Sequence, residues 1–165
     1  MNWRPRALGV VTATAALLCM SATGAAADRP EKVTFSVTVE GTNTSLCGFP
    51  IEFESEVSGF ELLFSDKSDD LVRIQAQVRT QDTFSANGVT LVGERYRVAA
   101  KLLFSDGELI EYHANGVLEK VRLPDGSMFI AAGRVDVLAT DVEFIIEPDS
   151  GVLRNQEAFC AALSG

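Results

Sequence analysis

The sequence predicts an all-β protein: an antiparallel up-and-down β-barrel of about eight strands with a short C-terminal helix, with a β-sandwich as the alternative arrangement of the same strands. Three observations carry this. Apolar and polar residues alternate at period two through most of the chain. Tight-turn sequences separate the alternating runs, as in Asn87-Gly88, Ser105-Asp106-Gly107 and Pro124-Asp125-Gly126-Ser127. Helical spacing is confined to the last residues, so no crossover helices are present to build a parallel α/β sheet.

The N-terminus precedes this pattern. Arg4 and Arg6 are followed by an apolar run from Ala7 to Met20 and by Ala25-Ala26-Ala27-Asp28, a small-x-small cleavage sequence. Residues 1–27 are read as a secretory signal peptide and 28–165 as a single β-barrel domain. Cys19 lies within the signal. Leu18 occupies the place where a lipobox needs a small residue, so a soluble exported protein is expected rather than a lipoprotein. Cleavage takes 27 residues from 165 and leaves 138, enough for one domain with a real core. It also removes two of 14 basic residues against 23 acidic ones, for a net charge near −11. Nucleic acid and anionic membrane surfaces are poor partners for such a field, and no stable membrane insertion is expected after cleavage.

Two cysteines remain, Cys47 and Cys160. An oxidising compartment favours their pairing, and the chain-entropy model gives such a loop about 4–5 kcal/mol of stabilisation. The bond would tie the start of the fold to its end.

The strands follow in order. Val33, Phe35, Val37 and Val39 alternate with Thr34, Ser36 and Thr38, and one face of this strand is expected to be buried. Asn43-Thr44-Ser45 is formally a glycosylation sequon and reads as a surface loop. Ile51, Phe53 and Val57 oppose Glu52, Glu54 and Glu56; Gly59 is expected to break the pattern before Phe60 to Phe64, a short strand continuing the same sheet after a bend. Ser65 to Asp70 is a turn whose acids do not match an EF-hand spacing. In Leu71 to Val78, Val72, Ile74, Ala76 and Val78 are expected to face inward. Tyr96, Val98, Ala100, Leu102 and Phe104 share a face, and Ser105-Asp106-Gly107 turns the chain into Glu108 to Asn115. Asn115-Gly116 is expected to turn or bulge the chain into Val117 to Leu123. Phe129, Ala131, Gly133, Val135 and Val137 share the next face, where small residues imply close packing. Val142 to Ile146 is the last expected strand, stopped by Pro148 to Gly151. Gln156, Phe159, Cys160 and Leu163 recur at helical spacing, with Asn155 as N-cap.

No constellation in this sequence specifies a reaction. His113 is the single histidine. No nucleophile elbow, phosphate loop, cysteine cluster or multi-histidine metal site accompanies it. Catalytic residues, metal ligands and cofactors are accordingly not assigned. A least-favoured enzyme reading, of cyclase or isomerase type, would use Glu111, Tyr112 or His113, and alternation puts Tyr112 on the opposite face from the other two. The leading expectation is a secreted binding protein for a small apolar or amphipathic ligand. Its candidate pocket lining is Phe35, Phe53, Tyr96, Phe104, Tyr112 and Phe129, each of which would otherwise be core. The alternative is a cell-envelope interaction or structural protein with no small-molecule ligand.

The motifs Cys47-Gly48-Phe49-Pro50 and Phe159-Cys160-Ala161-Ala162-Leu163 resemble those of a group of small uncharacterised secreted proteins of actinobacteria. The resemblance implies a bacterial, exported, mostly β domain and brings no activity or site residue with it. The strand layout is similar to calycin-like barrels such as allene oxide cyclases and lipocalins, a likeness of fold from which function does not follow.

Overall fold

The computed structural model describes residues 29–139 and 148–165. The expected signal peptide and the expected strand at Val142 to Ile146 lie outside the described residues. The rest is one antiparallel sheet of eight strands followed by a short helix. The strands are β1 (Glu31–Asn43), β2 (Ile51–Ser65), β3 (Leu71–Ala86), β4 (Val89–Val92), β5 (Tyr96–Ser105), β6 (Glu108–Arg122), β7 (Met128–Asp136) and β8 (Ser150–Arg154), and the helix is α1 (Gln156–Leu163). Spatial order follows the chain, β1-β2-β3-β5-β6-β7-β8, with β4 pairing the end of β3. β1 and β8 are the ends of this path and do not pair with each other, so among the described residues the sheet stays open.

The turns are those that the residues dictate. Asn87 and Gly88 both have positive φ, as the β3–β4 hairpin requires, and Asp106 and Gly107 do the same between β5 and β6. Asp66 Oδ1 accepts the Ser68 N–H at 2.7 Å and folds the β2–β3 loop.

Elsewhere the strands differ from the sequence expectation. Phe60 to Phe64 do continue the same sheet, but as part of one strand, β2, without a break at Gly59. The strand runs through it, and the glycine is needed because a Cβ there would stand 2.2 Å from the Gln77 carbonyl oxygen of β3. Asn115-Gly116 makes no turn either: β6 continues to Arg122, and its irregularity falls between Val117 and Glu119. β3 extends to Ala86, eight residues beyond the expected Val78. Its Val72, expected to face inward, is exposed. Ser150 and Gly151, expected to stop a strand, open one, since β8 pairs with β7 from Ile130↔Arg154 to Arg134↔Ser150.

One face of the sheet, here the inner face, packs against α1. Phe159 is fully buried, stacked on Phe129 at 4.4 Å between ring centroids and meeting Phe84 edge-on at 5.3 Å. Ile51, Phe53, Val121 and Leu163 complete this core. Asn155 holds the N-cap position with positive φ, but its side chain does not cap the helix. Its Nδ2 donates instead to the Met128 carbonyl at 2.8 Å, fixing α1 to β7.

The Cys47–Cys160 bond joins the β1–β2 loop to α1 across 5.3 Å between Cα atoms. Gln156 Nε2 reinforces it by donating to the Leu46 carbonyl at 2.7 Å. Asn43 is buried, and its Oδ1 accepts the N–H groups of Ser45 and Leu46, so the formal sequon is consumed in an internal turn.

Candidate functional site

Among the described residues, three places stand out for their chemistry or exposed apolar surface. The first is a buried polar belt where the inner faces of four strands meet beside the α1 core. Ser55 of β2 is paired with Asp82 of β3 and donates its hydroxyl to Asp82 Oδ1. Tyr96 of β5 donates to Asp82 Oδ2 at 2.5 Å. Glu119 of β6 completes the belt: its Oε1 accepts the Lys120 N–H at 2.8 Å, and its Oε2 is buried without a hydrogen-bond partner. Asp82 and Glu119 are both fully inaccessible to solvent.

Two buried carboxyl groups cannot both ionise cheaply so close together. Burial first, and the Asp82 charge second, push the Glu119 pKa well above the ordinary value of 4.5, so Glu119 holds the proton. Burial, with the Asp82 charge beside it, raises the Tyr96 phenol as well, keeping it a hydrogen-bond donor. Gly93 lets the chain close over the belt. Its N–H reaches the Asp82 carbonyl at 2.7 Å, and a Cβ would meet that oxygen at 3.0 Å and Glu119 Oε1 at 3.4 Å. The belt is a sealed polar layer in the sheet. It can store a proton and fix strand register, and it offers no open position to a reactant.

Sequence reasoning did not single out this cluster, although the signal was present. Continuing the inward alternation of Ile74, Ala76 and Val78 reaches Thr80, Asp82 and Phe84, and the run of Val117, Val121 and Leu123 includes Glu119. An acid at the inward register of an apolar strand marks a buried charge.

The second place is the outer face around His113. Its Nε2 lies 3.0 Å from Glu111 Oε1, and Lys101 Nζ reaches the same oxygen at 3.4 Å. Tyr112 points to the inner face, where burial and the nearby Glu61 charge raise its pKa. Glu111 and His113 therefore meet each other but not Tyr112, and among the described residues no nucleophile joins them. The Glu52, Glu54 and Glu56 row is solvent-exposed, with Arg95 Nη2 at 3.9 Å from Glu56. No group of three or more potential metal ligands forms among the described residues.

The third place is the inner face beyond the belt, which α1 does not cover. Val57, Ile74, Val78, Val98 and Leu102 are only half-buried there. On β1, Val33, Val37 and Val39 are exposed at 38%, 51% and 44%. The burial expected for one face of this strand is not made: β1 lies at the sheet's end, and among the described residues nothing covers Val33, Val37 and Val39.

The six candidate lining residues divide among these regions. Phe53 and Phe129 belong to the core under α1, and Tyr96 to the belt. Phe35 and Tyr112 are half-buried on the uncovered inner face, and Phe104 is half-buried beside the β5–β6 hairpin. They do not converge on one cavity. Two surface grooves are open and mostly polar: one of about 580 Å³ lined by Glu40, Glu52, Glu54 and Phe53, the other of about 420 Å³ lined by Glu56, Arg79 and Arg95.

The disulfide is present, and no described helix is long and apolar enough to cross a membrane. No protein-family model, curated protein or solved structure matches the chain, and its own geometry carries the functional reading.

Proposed function

We propose that this chain is an exported protein-interaction module, a disulfide-clamped open sheet that presents an apolar face and a free strand edge to another protein. The observation that carries this reading is the uncovered inner face. Valines exposed by about half on an edge strand cost solubility that a filled, self-contained domain would avoid. The grooves support it further, because they are open and polar where a small apolar ligand needs an enclosed, mostly apolar site. The sealed belt supports a scaffold role for the buried acids. Export is supported by the N-terminal charge and apolar pattern and by a disulfide of the kind that persists in oxidising compartments. The actinobacterial secreted group suggested by the two end motifs fits the same setting.

A neutral apolar dye such as Nile red tests the exposed face. The mature protein should enhance its emission, and a Val33→Thr/Val37→Thr/Val39→Thr variant with unchanged far-UV circular dichroism should lose most of that enhancement. An absent enhancement, or one the triple variant keeps in full, would overturn the assignment of an apolar interaction face to β1.

A further inference from the structure

We infer that the free edge of β1 pairs antiparallel with β1 of a second copy of this chain about a two-fold axis through Ser36, joining two open sheets into one; this inference rests on the interaction reading above. β1 is the long edge of the sheet. Its 13 residues pair with β2 in unbroken register from Glu31↔Leu63 to Asn43↔Ile51, and its other side has no strand among the described residues. Soluble proteins usually blunt such an edge with a proline, a bulge, an inward charge or a very short strand. β1 has no proline and no bulge, and its inward residues from Val33 to Val39 are all apolar. The opposite edge is protected, because β8 is only five residues long.

The sequence of β1 is complementary to itself. With Ser36 opposite Ser36 of the second copy, Phe35 faces Val37, Thr34 faces Thr38 and Val33 faces Val39. Lys32 then faces Glu40, twice, once on each side of the axis. The pattern from Lys32 to Glu40 is thus a palindrome in shape and polarity with opposite charges at its ends. An isologous contact needs this relation, in which each patch meets itself reversed. A two-fold axis perpendicular to the sheet keeps both inner faces on the same side. Val33, Phe35, Val37 and Val39 then form β-branched and aromatic cross-strand pairs on one face, while the charged pairs lie on the other. Lys32 Nζ sits 4.3 Å from the Phe60 ring centroid, which holds its ammonium on that outer face where Glu40 of the second copy would arrive. Main-chain hydrogen bonds across the edge supply affinity, and the end charges supply register. A register shifted by one residue would turn the valines of one copy against the threonines of the other.

Charge reversal tests this on exposed residues that leave the core untouched. Sedimentation equilibrium of the mature, disulfide-intact protein over a concentration series should show a monomer–dimer equilibrium. Lys32→Glu and Glu40→Lys each place like charges across both symmetric pairs and should weaken dimerisation about tenfold or more. The double variant Lys32→Glu/Glu40→Lys restores opposite charges and should return to wild-type affinity. Under mild oxidation, Ser36→Cys should give a covalent dimer, whereas Thr34→Cys and Thr38→Cys should do so only when mixed. A monomer at every concentration, a dimer indifferent to the single reversals, or open-ended higher oligomers would each overturn the β1–β1 pairing. Nile red binding separates the two ideas. If it persists in a strict monomer, only the self-pairing fails; if it is absent, the interaction reading fails with it.

Discussion

Replacing Glu119 with glutamine isolates the proton held in the belt. The carboxyl is fully buried, one of its oxygens has no partner, and Asp82 stands beside it, so its folded-state pKa lies well above 4.5. In the unfolded chain it titrates at the ordinary value. Between those two values the folded protein keeps a proton that the unfolded chain has released. Stability therefore falls as pH rises through that window, at up to about 1.4 kcal/mol per pH unit. Below the unfolded value both states are protonated and the slope vanishes; above the folded value both are ionised and the full loss persists. Glutamine has nearly the same shape and no charge at any pH, so Glu119→Gln removes this contribution together with its coupling to Asp82 and Tyr96. Urea unfolding of both proteins at matched pH should give similar stabilities near pH 4.5. By pH 8 the variant should be the more stable of the two. Stability curves that run parallel between these limits, or a variant weaker by the same amount at every pH, would refute the claim that Glu119 carries the proton.

Four further outcomes follow from the same structure. Tyr96→Phe removes a hydrogen bond to the buried Asp82 carboxylate and should cost about 1–3 kcal/mol in urea unfolding, with little change in the spectrum of the folded state. Phe159→Ala opens a cavity between Phe84 and Phe129 and should cost about 3–5 kcal/mol by the same assay. The double variant Cys47→Ser/Cys160→Ser loses the constraint on a loop of 113 residues and should be about 3–5 kcal/mol less stable, measured as a fall in thermal midpoint. Gly133→Ala puts a Cβ 2.1 Å from the Ser150 carbonyl oxygen at a positive φ, so it should cost more than about 2 kcal/mol and expose the β8 amides to rapid hydrogen exchange.

Much of the fold was legible because it is written in local chemistry. Asn87-Gly88 and Asp106-Gly107 announce their hairpins through residues that tolerate positive φ. Phe159 and Leu163 mark the buried side of α1 by their spacing, and the compartment logic that pairs two cysteines names the clamp. What escaped depends on contacts between distant segments. Gly59 looks like a strand breaker in isolation and is instead the place where the β3 backbone comes close. Asn115-Gly116 has the composition of a turn, but β5 and β7 pair on either side of Gly116 and hold β6 extended. The valines of β1 alternate as well as those of any half-buried strand; whether a layer covers them is not a property of the strand itself. Of the candidate site, the aromatic residues were visible as a set, but their division among core, belt and open face comes from the register. Asp82 and Glu119 were reachable by extending the alternation through polar residues, a step that apolar periodicity alone does not prompt.

The central claim is that this chain works through an open surface and not through a ligand held inside it. Native mass spectrometry of the mature protein from its own culture supernatant tests this most directly. The predicted result is a chain beginning at Asp28, lighter by two hydrogens than its reduced form, which releases no small molecule when denatured. A stoichiometric small molecule released on denaturation would contradict the claim and make the chain a carrier.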